Sequence, residues 1–128
     1  MIEIETSALT APYWAALEQG RLTFQRCACS HAWLPPRENC PRCLATDWRW
    51  ETASGAARLV SWVVYHTAYH PDFADKLPYN VAIVALAEGP RLITNIRADP
   101  AALAIGMTLR LAAERAGPVT LARFAPAG

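Results

Sequence analysis

Hydrophobic positions change their period along this chain. Between residues 10 and 19 the pattern is helical, with Tyr13, Trp14 and Leu17 on one apolar stripe. Thr10 suits the N-cap, Pro12 the first turn and Gly20 the C′ position. A helix this short needs a surface to lie on, in this chain or in a partner. From residue 21 the period shortens. Leu22-Thr23-Phe24-Gln25-Arg26 alternates, and His31-Ala32-Trp33-Leu34 reads as a return strand ended by Pro35-Pro36.

From Ser54 onward strand follows strand. Arg58–His66 is rich in β-branched and aromatic residues. Val81–Leu86 and Arg91–Ile96 flank the turn signal Glu88-Gly89-Pro90, which predicts a hairpin. Asp99-Pro100-Ala101-Ala102-Leu103 predicts a capped helical turn closed by Gly106. Thr108–Ala113 and Val119–Phe124 follow, separated by Ala116-Gly117-Pro118. Five strands with one short helical insertion fit a small closed barrel of the OB type, with an SH3-like barrel as the competing architecture. Thr67–Pro78 is the longest stretch without regular pattern. It reads either as a functional loop or as a barrel cap packed through Tyr69 and Phe73.

At 128 residues the chain fits one domain, or a metal-stapled module plus a small domain. An apolar fraction of 53% makes it globular, and a formal net charge of +1 argues against coating nucleic acid. The first residues lack the basic and apolar regions of a signal peptide, and no apolar run approaches the ~20 residues that span a bilayer. The chain therefore reads as cytoplasmic.

In a reducing compartment, clustered cysteines read as metal ligands before disulfides. Cys27-Ala28-Cys29 and Cys40-Pro41-Arg42-Cys43 lie ten residues apart, so two knuckles can fold over one ion. Four thiolates around zinc form a closed tetrahedral site, which is structural rather than catalytic. A module of residues 21–50 is too small to fold on its own core, so the metal would be its staple. Three alternatives stay open: ordinary free cysteines, His31 replacing one sulfur, and a ribbon held by packing without metal.

Groups for free-standing catalysis are not assembled by the pattern. His66 and His70 are four apart, but one ends a strand and the other precedes Pro71, so the spacing does not pair them on a helix. No phosphate loop or nucleophile elbow is present. A single-stranded nucleic-acid reading would use Tyr65, Tyr69, Phe73 and Tyr79 as stacking platforms on an OB barrel, against the near-neutral charge. A coenzyme A reading would use Arg37, Arg91 and Arg97 to grip phosphates, with Trp33, Tyr65, Phe73 and Tyr79 lining an acyl passage. Core or interface packing explains the same aromatics equally well.

Longer strings carry a family resemblance. Ala11-Pro12-Tyr13-Trp14-Ala15-Ala16-Leu17-Glu18-Gln19-Gly20-Arg21-Leu22 runs on through Gln25-Arg26-Cys27 and Trp33-Leu34-Pro35-Pro36-Arg37 to Cys40-Pro41-Arg42-Cys43. Ser61-Trp62-Val63-Val64, Leu77-Pro78-Tyr79-Asn80-Val81-Ala82-Ile83-Val84, Glu88-Gly89-Pro90-Arg91-Leu92 and Ile105-Gly106-Met107 extend the match over nearly the whole chain. The chain resembles the zinc-ribbon/OB-fold family, acyl-CoA-associated and formerly filed as a domain of unknown function. The resemblance implies a helical arm (residues 1–20), a rubredoxin-like zinc ribbon (21–50) and a five-stranded OB barrel (51–128). It also implies structural zinc on Cys27, Cys29, Cys40 and Cys43, and no catalytic residue. The expected role is an accessory subunit that docks onto a thiolase-like enzyme, with a MaoC-type hydratase and acyl-CoA as further partners. Tyr13, Trp14, Arg37, Tyr65, His66, Phe73, Tyr79 and Arg91 are the candidate contacts for partner or acyl-CoA. The chain departs from the family at its first knuckle, where Cys27-Ala28-Cys29-Ser30 stands in place of Cys-x-x-Cys-Gly.

Overall fold

A computed structural model describes residues 7–65 and 79–127. The chain opens with helix α1 (Ala11–Glu18). Thr10 occupies the cap position without capping. Its hydroxyl accepts the Ser7 N–H (2.9 Å) and its own N–H donates to the Ser7 hydroxyl (3.2 Å), so a Ser7–Thr10 turn starts the helix instead. The far end matches expectation. Gly20 takes φ +78°, its N–H donates to Leu17 and the Arg21 N–H to Ala16, the paired bonds of a Schellman close. The stripe splits in two. Tyr13 and Leu17, four apart, are buried in the chain's own core, while Trp14 sits half-buried with its ring edge-on to Tyr13 at 5.0 Å. The surface beneath the helix therefore belongs to this chain.

A three-stranded antiparallel sheet follows, with β1 (Thr23–Cys27) between β2 (Ala32–Trp33) and β3 (Trp48–Thr52). Gln25 faces Trp33 on one side and Trp50 on the other. The alternation expected for β1 is absent, because Thr23, Phe24 and Gln25 are all buried. Gln25 tolerates burial because its amide donates to the Arg37 carbonyl and accepts the Arg37 N–H, both at 2.7 Å. That pair fixes the backbone following Leu34-Pro35-Pro36. Strand β3 was not anticipated, although Trp48-Arg49-Trp50-Glu51 alternates as a half-buried strand should.

The larger sheet contains β4 (Ala56–Tyr65), β5 (Tyr79–Leu86), β6 (Arg91–Thr94), β7 (Thr108–Leu111) and β10 (Phe124–Pro126), in the order β10-β7-β4-β5-β6. The two outer strands meet where Ile96 bridges Phe124 in parallel. There the Phe124 N–H donates to Asn95 (3.3 Å) and the Arg97 N–H to Phe124 (2.8 Å). Closure of this order through one parallel contact is the OB barrel, so the SH3-like alternative falls away. A bulge between Leu59 and Ser61 adds the twist that closure needs. Asp99 caps the expected turn, here a 3-10 turn over Pro100–Ala102, by accepting the Ala101 N–H. One expected strand divides. Val119–Phe124 becomes β9 (Val119–Leu121), which pairs with β8 (Glu114–Ala116), and then β10.

Tyr13, Leu17 and Leu22 share one core with Leu59, Val84, Leu109 and Phe124 of the barrel. Helix, ribbon entry and barrel are thus packed as one body. Among the described residues no helix is long and apolar enough to cross a membrane.

Candidate metal centre and adjoining cleft

Cys27 ends β1, and its chain reverses through Ala28-Cys29-Ser30 into β2. The Ser30 N–H donates to the Cys27 carbonyl and the Cys27 N–H to His31, both at 2.9 Å. Ser30 accordingly adopts φ +78°, the left-handed conformation that the shortened knuckle demands and that glycine reaches more cheaply. The second knuckle repeats the design one residue longer. The Cys40 N–H donates to Ala45 (2.9 Å), the Leu44 N–H to Cys40 (2.8 Å), and Leu44 takes φ +65°. The Arg42 and Cys43 N–H groups point at the Cys40 sulfur, at 3.4 and 3.5 Å.

The two turns bring the four sulfurs within 4.8 Å of one another. Cys27 lies 3.4 Å from Cys43 and Cys29 3.7 Å from Cys40. A tetrahedral zinc with bonds near 2.3 Å sets its sulfurs about 3.8 Å apart, so the cluster has the dimensions of a four-thiolate site. Cys27 and Cys40 are buried against Trp33, with Ala45 and Trp48 packed around them; Cys29 and Cys43 are exposed. As thiols the four are unequal. The N–H of Cys29 pulls the Cys27 pKa down, but burial and the thiols of Cys43, Cys29 and Cys40 outweigh it and push it up to about 12. Burial opposes ionisation of Cys40, but the N–H groups of Cys43 and Arg42 and the thiols of Cys43 and Cys29 outweigh it and hold it down to about 7. A bound zinc overrides these differences, since a coordinating thiol is deprotonated outright. His31 is not in the sulfur group. Its ring stacks on Trp33 at 6.0 Å and 17°.

The remaining candidates scatter. Tyr13, expected at a partner surface, is 7% exposed and packed inward, because its ring completes the core under α1. Burial pushes its pKa up to about 12. Trp33, weighed for an acyl passage, is buried beside the sulfurs instead. Tyr65 ends β4 and is half-buried. His66, Tyr69, His70 and Phe73, with the loop Thr67–Pro78, lie outside the described residues, and so does the side chain of Tyr79. Trp14 lines a cleft of about 360 Å³ where all three parts of the chain meet. Its walls include Leu34, Pro35 and Pro36 from the ribbon and Leu92 and Ile93 from the barrel. Arg37 and Arg91, both exposed, adjoin these wall segments in the chain. Ile93 is 71% exposed and sits opposite Ile83, also exposed, across the β5–β6 ladder. Neither isoleucine stood out from the sequence, where the run Val81-Ala82-Ile83-Val84 looks uniformly buried. The signal was the strict alternation that places Ala82 and Val84 inward and Ile83 outward.

Comparison with known proteins agrees with this layout. Residues 14–49 match the model described as ChsH2, rubredoxin-like zinc ribbon domain, and residues 50–114 the one described as ChsH2, C-terminal OB-fold domain. A probable enoyl-CoA hydratase alpha subunit from Thermomonospora curvata is 41% identical over 118 residues, which is 90% of this chain and 36% of that protein. A DUF35 domain-containing scaffold protein from Methanothermobacter thermautotrophicus is 36% identical over 76% of this chain and 75% of its own length. A solved structure described as Ltp2-ChsH2(DUF35) aldolase superposes with a TM-score of 0.88 at 38% identity, covering 98% of this chain and 100% of that one. The chain spans about a third of the length of the curated relatives it matches first.

Proposed function

This chain belongs to the ChsH2 family, a rubredoxin-like zinc ribbon joined to a C-terminal OB-fold, and from that premise we propose that it is a non-catalytic accessory subunit of an acyl-CoA-processing enzyme. Its helical arm, ribbon and barrel are assigned to residues 1–20, 21–50 and 51–128. Cys27, Cys29, Cys40 and Cys43 hold the structural zinc. Four thiolates fill a tetrahedral ion, so the metal has no position to offer a substrate and acts on shape alone. The enzyme that carries the reacting groups is thiolase-like, with a MaoC-type hydratase as a further partner, and the complex works in the cytoplasm.

The observation that carries this reading is the apolar cleft at the junction of arm, ribbon and barrel. A monomer in water gains nothing from Ile93 at 71% exposure beside Trp14, Leu34 and two prolines. Exposed apolar residues gathered in a shaped recess mark a contact with another molecule. Trp14 is the aromatic anchor of that face, and Arg37 and Arg91 supply cations for the partner's acids or for the phosphates of an acyl-CoA. Tyr65, His66, Phe73 and Tyr79 are the further candidates for contact with the partner or with acyl-CoA.

The test is co-expression with whichever thiolase-like or MaoC-type proteins the neighbouring genes prove to encode, followed by size-exclusion chromatography. A stable complex that consumes acyl-CoA only when the enzyme is present is expected. Ile93→Glu should weaken that complex at least tenfold while leaving the melting temperature nearly unchanged, since exposed positions tolerate substitution within about 0.5 kcal/mol. Thioester turnover by the purified chain alone would defeat the proposal.

A further inference from the structure

The four sulfurs are arranged for something beyond holding a metal. Each exposed cysteine has a buried one beside it on the opposite knuckle. Exposed Cys43 lies 3.4 Å from Cys27, which is 1% exposed. Exposed Cys29 lies 3.7 Å from Cys40, which is fully buried. Redox-responsive cysteines are accessible thiolates poised next to a resolving thiol, and this cluster supplies that combination twice.

We propose that the ribbon is a site of reversible oxidation by hydroperoxides, in which Cys43 and Cys29 are attacked and Cys27 and Cys40 resolve them as two cross-knuckle disulfides. The inference rests on the reading of these four residues as the zinc ligands. In the first step the Cys43 thiolate attacks the peroxide. A sulfur–oxygen bond forms, the oxygen–oxygen bond breaks, and hydroxide leaves and is protonated to water. The Cys27 thiolate then attacks the sulfenic sulfur of Cys43. The sulfur–sulfur bond forms and the sulfur–oxygen bond breaks, again releasing hydroxide. Two electrons pass from the sulfurs to one peroxide, and Cys29 with Cys40 repeats the sequence on a second. A disulfide sulfur is no longer a thiolate ligand, so zinc is set free. The same two knuckles remain joined, now by covalent staples in place of the ion. Reduction by a dithiol reverses the change.

The experiment uses the full chain, purified under reducing conditions, assayed for zinc and titrated with hydrogen peroxide. Released zinc is read with a chromogenic chelator, thiols by alkylation, and bridges by peptide mapping without reduction. The expected result is full zinc release with loss of all four thiols, bridges Cys27–Cys43 and Cys29–Cys40, and recovery of bound zinc after reduction and resupply. Retention of zinc and thiols at excess peroxide would overturn the inference. So would bridges within a knuckle, Cys27–Cys29 or Cys40–Cys43, or sulfinic products without bridges. A reduced chain that carries no zinc at the outset would instead overturn the ligand reading. The bridge map on that same sample still decides the pairing.

Discussion

Asn80→Ala should open the barrel at its seam. Asn80 is 5% exposed, and its amide acts as a piece of strand. Its Nδ2 donates to the Ile96 carbonyl (2.9 Å) and its Oδ1 accepts the Ile96 N–H (2.7 Å), just beyond the end of β6. The Asn95 side chain in turn donates to the Asn80 carbonyl. Ile96 is the residue that meets Phe124 to close the barrel, and it is itself buried. Truncation strands the buried Ile96 N–H, at about 1–3 kcal/mol, while the Ile96 carbonyl keeps the Ala98 N–H (3.0 Å) and loses only one of its two donors, worth about 0.5–1.5 kcal/mol, so a loss of roughly 1.5–4 kcal/mol follows. That is a large part of the 5–15 kcal/mol typical of a whole domain. At about 3–5 °C per kcal/mol for this size, the melting temperature should fall by roughly 5 °C or more. Urea denaturation gives the free energy, and a zinc assay on the folded variant should find the metal retained, because the ribbon lies elsewhere. Asn80→Asp sharpens the test. The carboxylate still accepts the Ile96 N–H but faces the Ile96 carbonyl with a charge, so its pKa in the folded state is raised above the unfolded value. Such a group stabilises below its unfolded pKa and loses that contribution as pH rises through the folded one. Asn80→Asp should therefore recover part of its deficit on acidification. A loss under about 1 kcal/mol for Asn80→Ala, or no pH dependence for Asn80→Asp, would refute the seam argument.

Zinc removal by a chelator should unravel the ribbon and shift the emission of Trp33 and Trp48, which pack around the sulfurs; an unchanged spectrum and melting temperature would count against a structural metal. Leu44→Gly relieves a left-handed residue that is 72% exposed and has little packing to lose, so a gain of about 1 kcal/mol is expected by urea titration with zinc content unchanged. Tyr13 titrates at about 12 in the folded chain, above its ordinary value of 10.0, because burial disfavours the phenolate. The folded state therefore holds this proton more tightly, and the stability it contributes is complete below pH 10 and lost as pH rises toward 12. Alkaline destabilisation in that window should be shallower in Tyr13→Phe, worth roughly 1–3 kcal/mol at the top of the range.

The parts that could be read from the sequence are those set by local chemistry. Gly20, Gly89 and Asp99 each announce a backbone requirement that no partner can change, and each stands where expected. The knuckles were visible as spacing, and Ser30 as the residue standing in place of the family's Gly, where the structure has φ +78°. Strand β1 was misread because alternation reports one covered face, whereas a central strand beneath a helix and beside two others is covered on both. Tyr13 was misplaced for a related reason. An apolar stripe says that a helix lies on something, not whose surface it is. Leu44 escaped notice because the need for a positive φ arises from the hydrogen bonds of Cys40, which spacing alone does not reveal. The cleft was invisible in principle, since its walls come from residues 14, 34–36 and 92–93 and only the closed fold brings them together.

Those walls also show why a ribbon and a barrel make one docking surface. Pro35 and Pro36 have no backbone N–H with which to anchor themselves to a neighbouring strand. Here the residue after them is gripped at both its N–H and its C=O by Gln25. Gln25 stands on the central ribbon strand, two residues before the ligand Cys27, so the strand that the metal anchors also positions the prolines. The opposite wall, Leu92 and Ile93, belongs to β6, whose line is continued past Thr94 by the Asn80 amide and secured where the Thr94 hydroxyl donates to the Ala122 carbonyl at 2.6 Å. Trp14 completes the recess from a helix whose other face, through Tyr13 and Leu17, is part of the barrel core. Each wall is thus held by a different device: metal, seam and core. Damage to the ribbon should move one wall while the other two stay, which makes loss of docking with a folded barrel the signature of an injured zinc site.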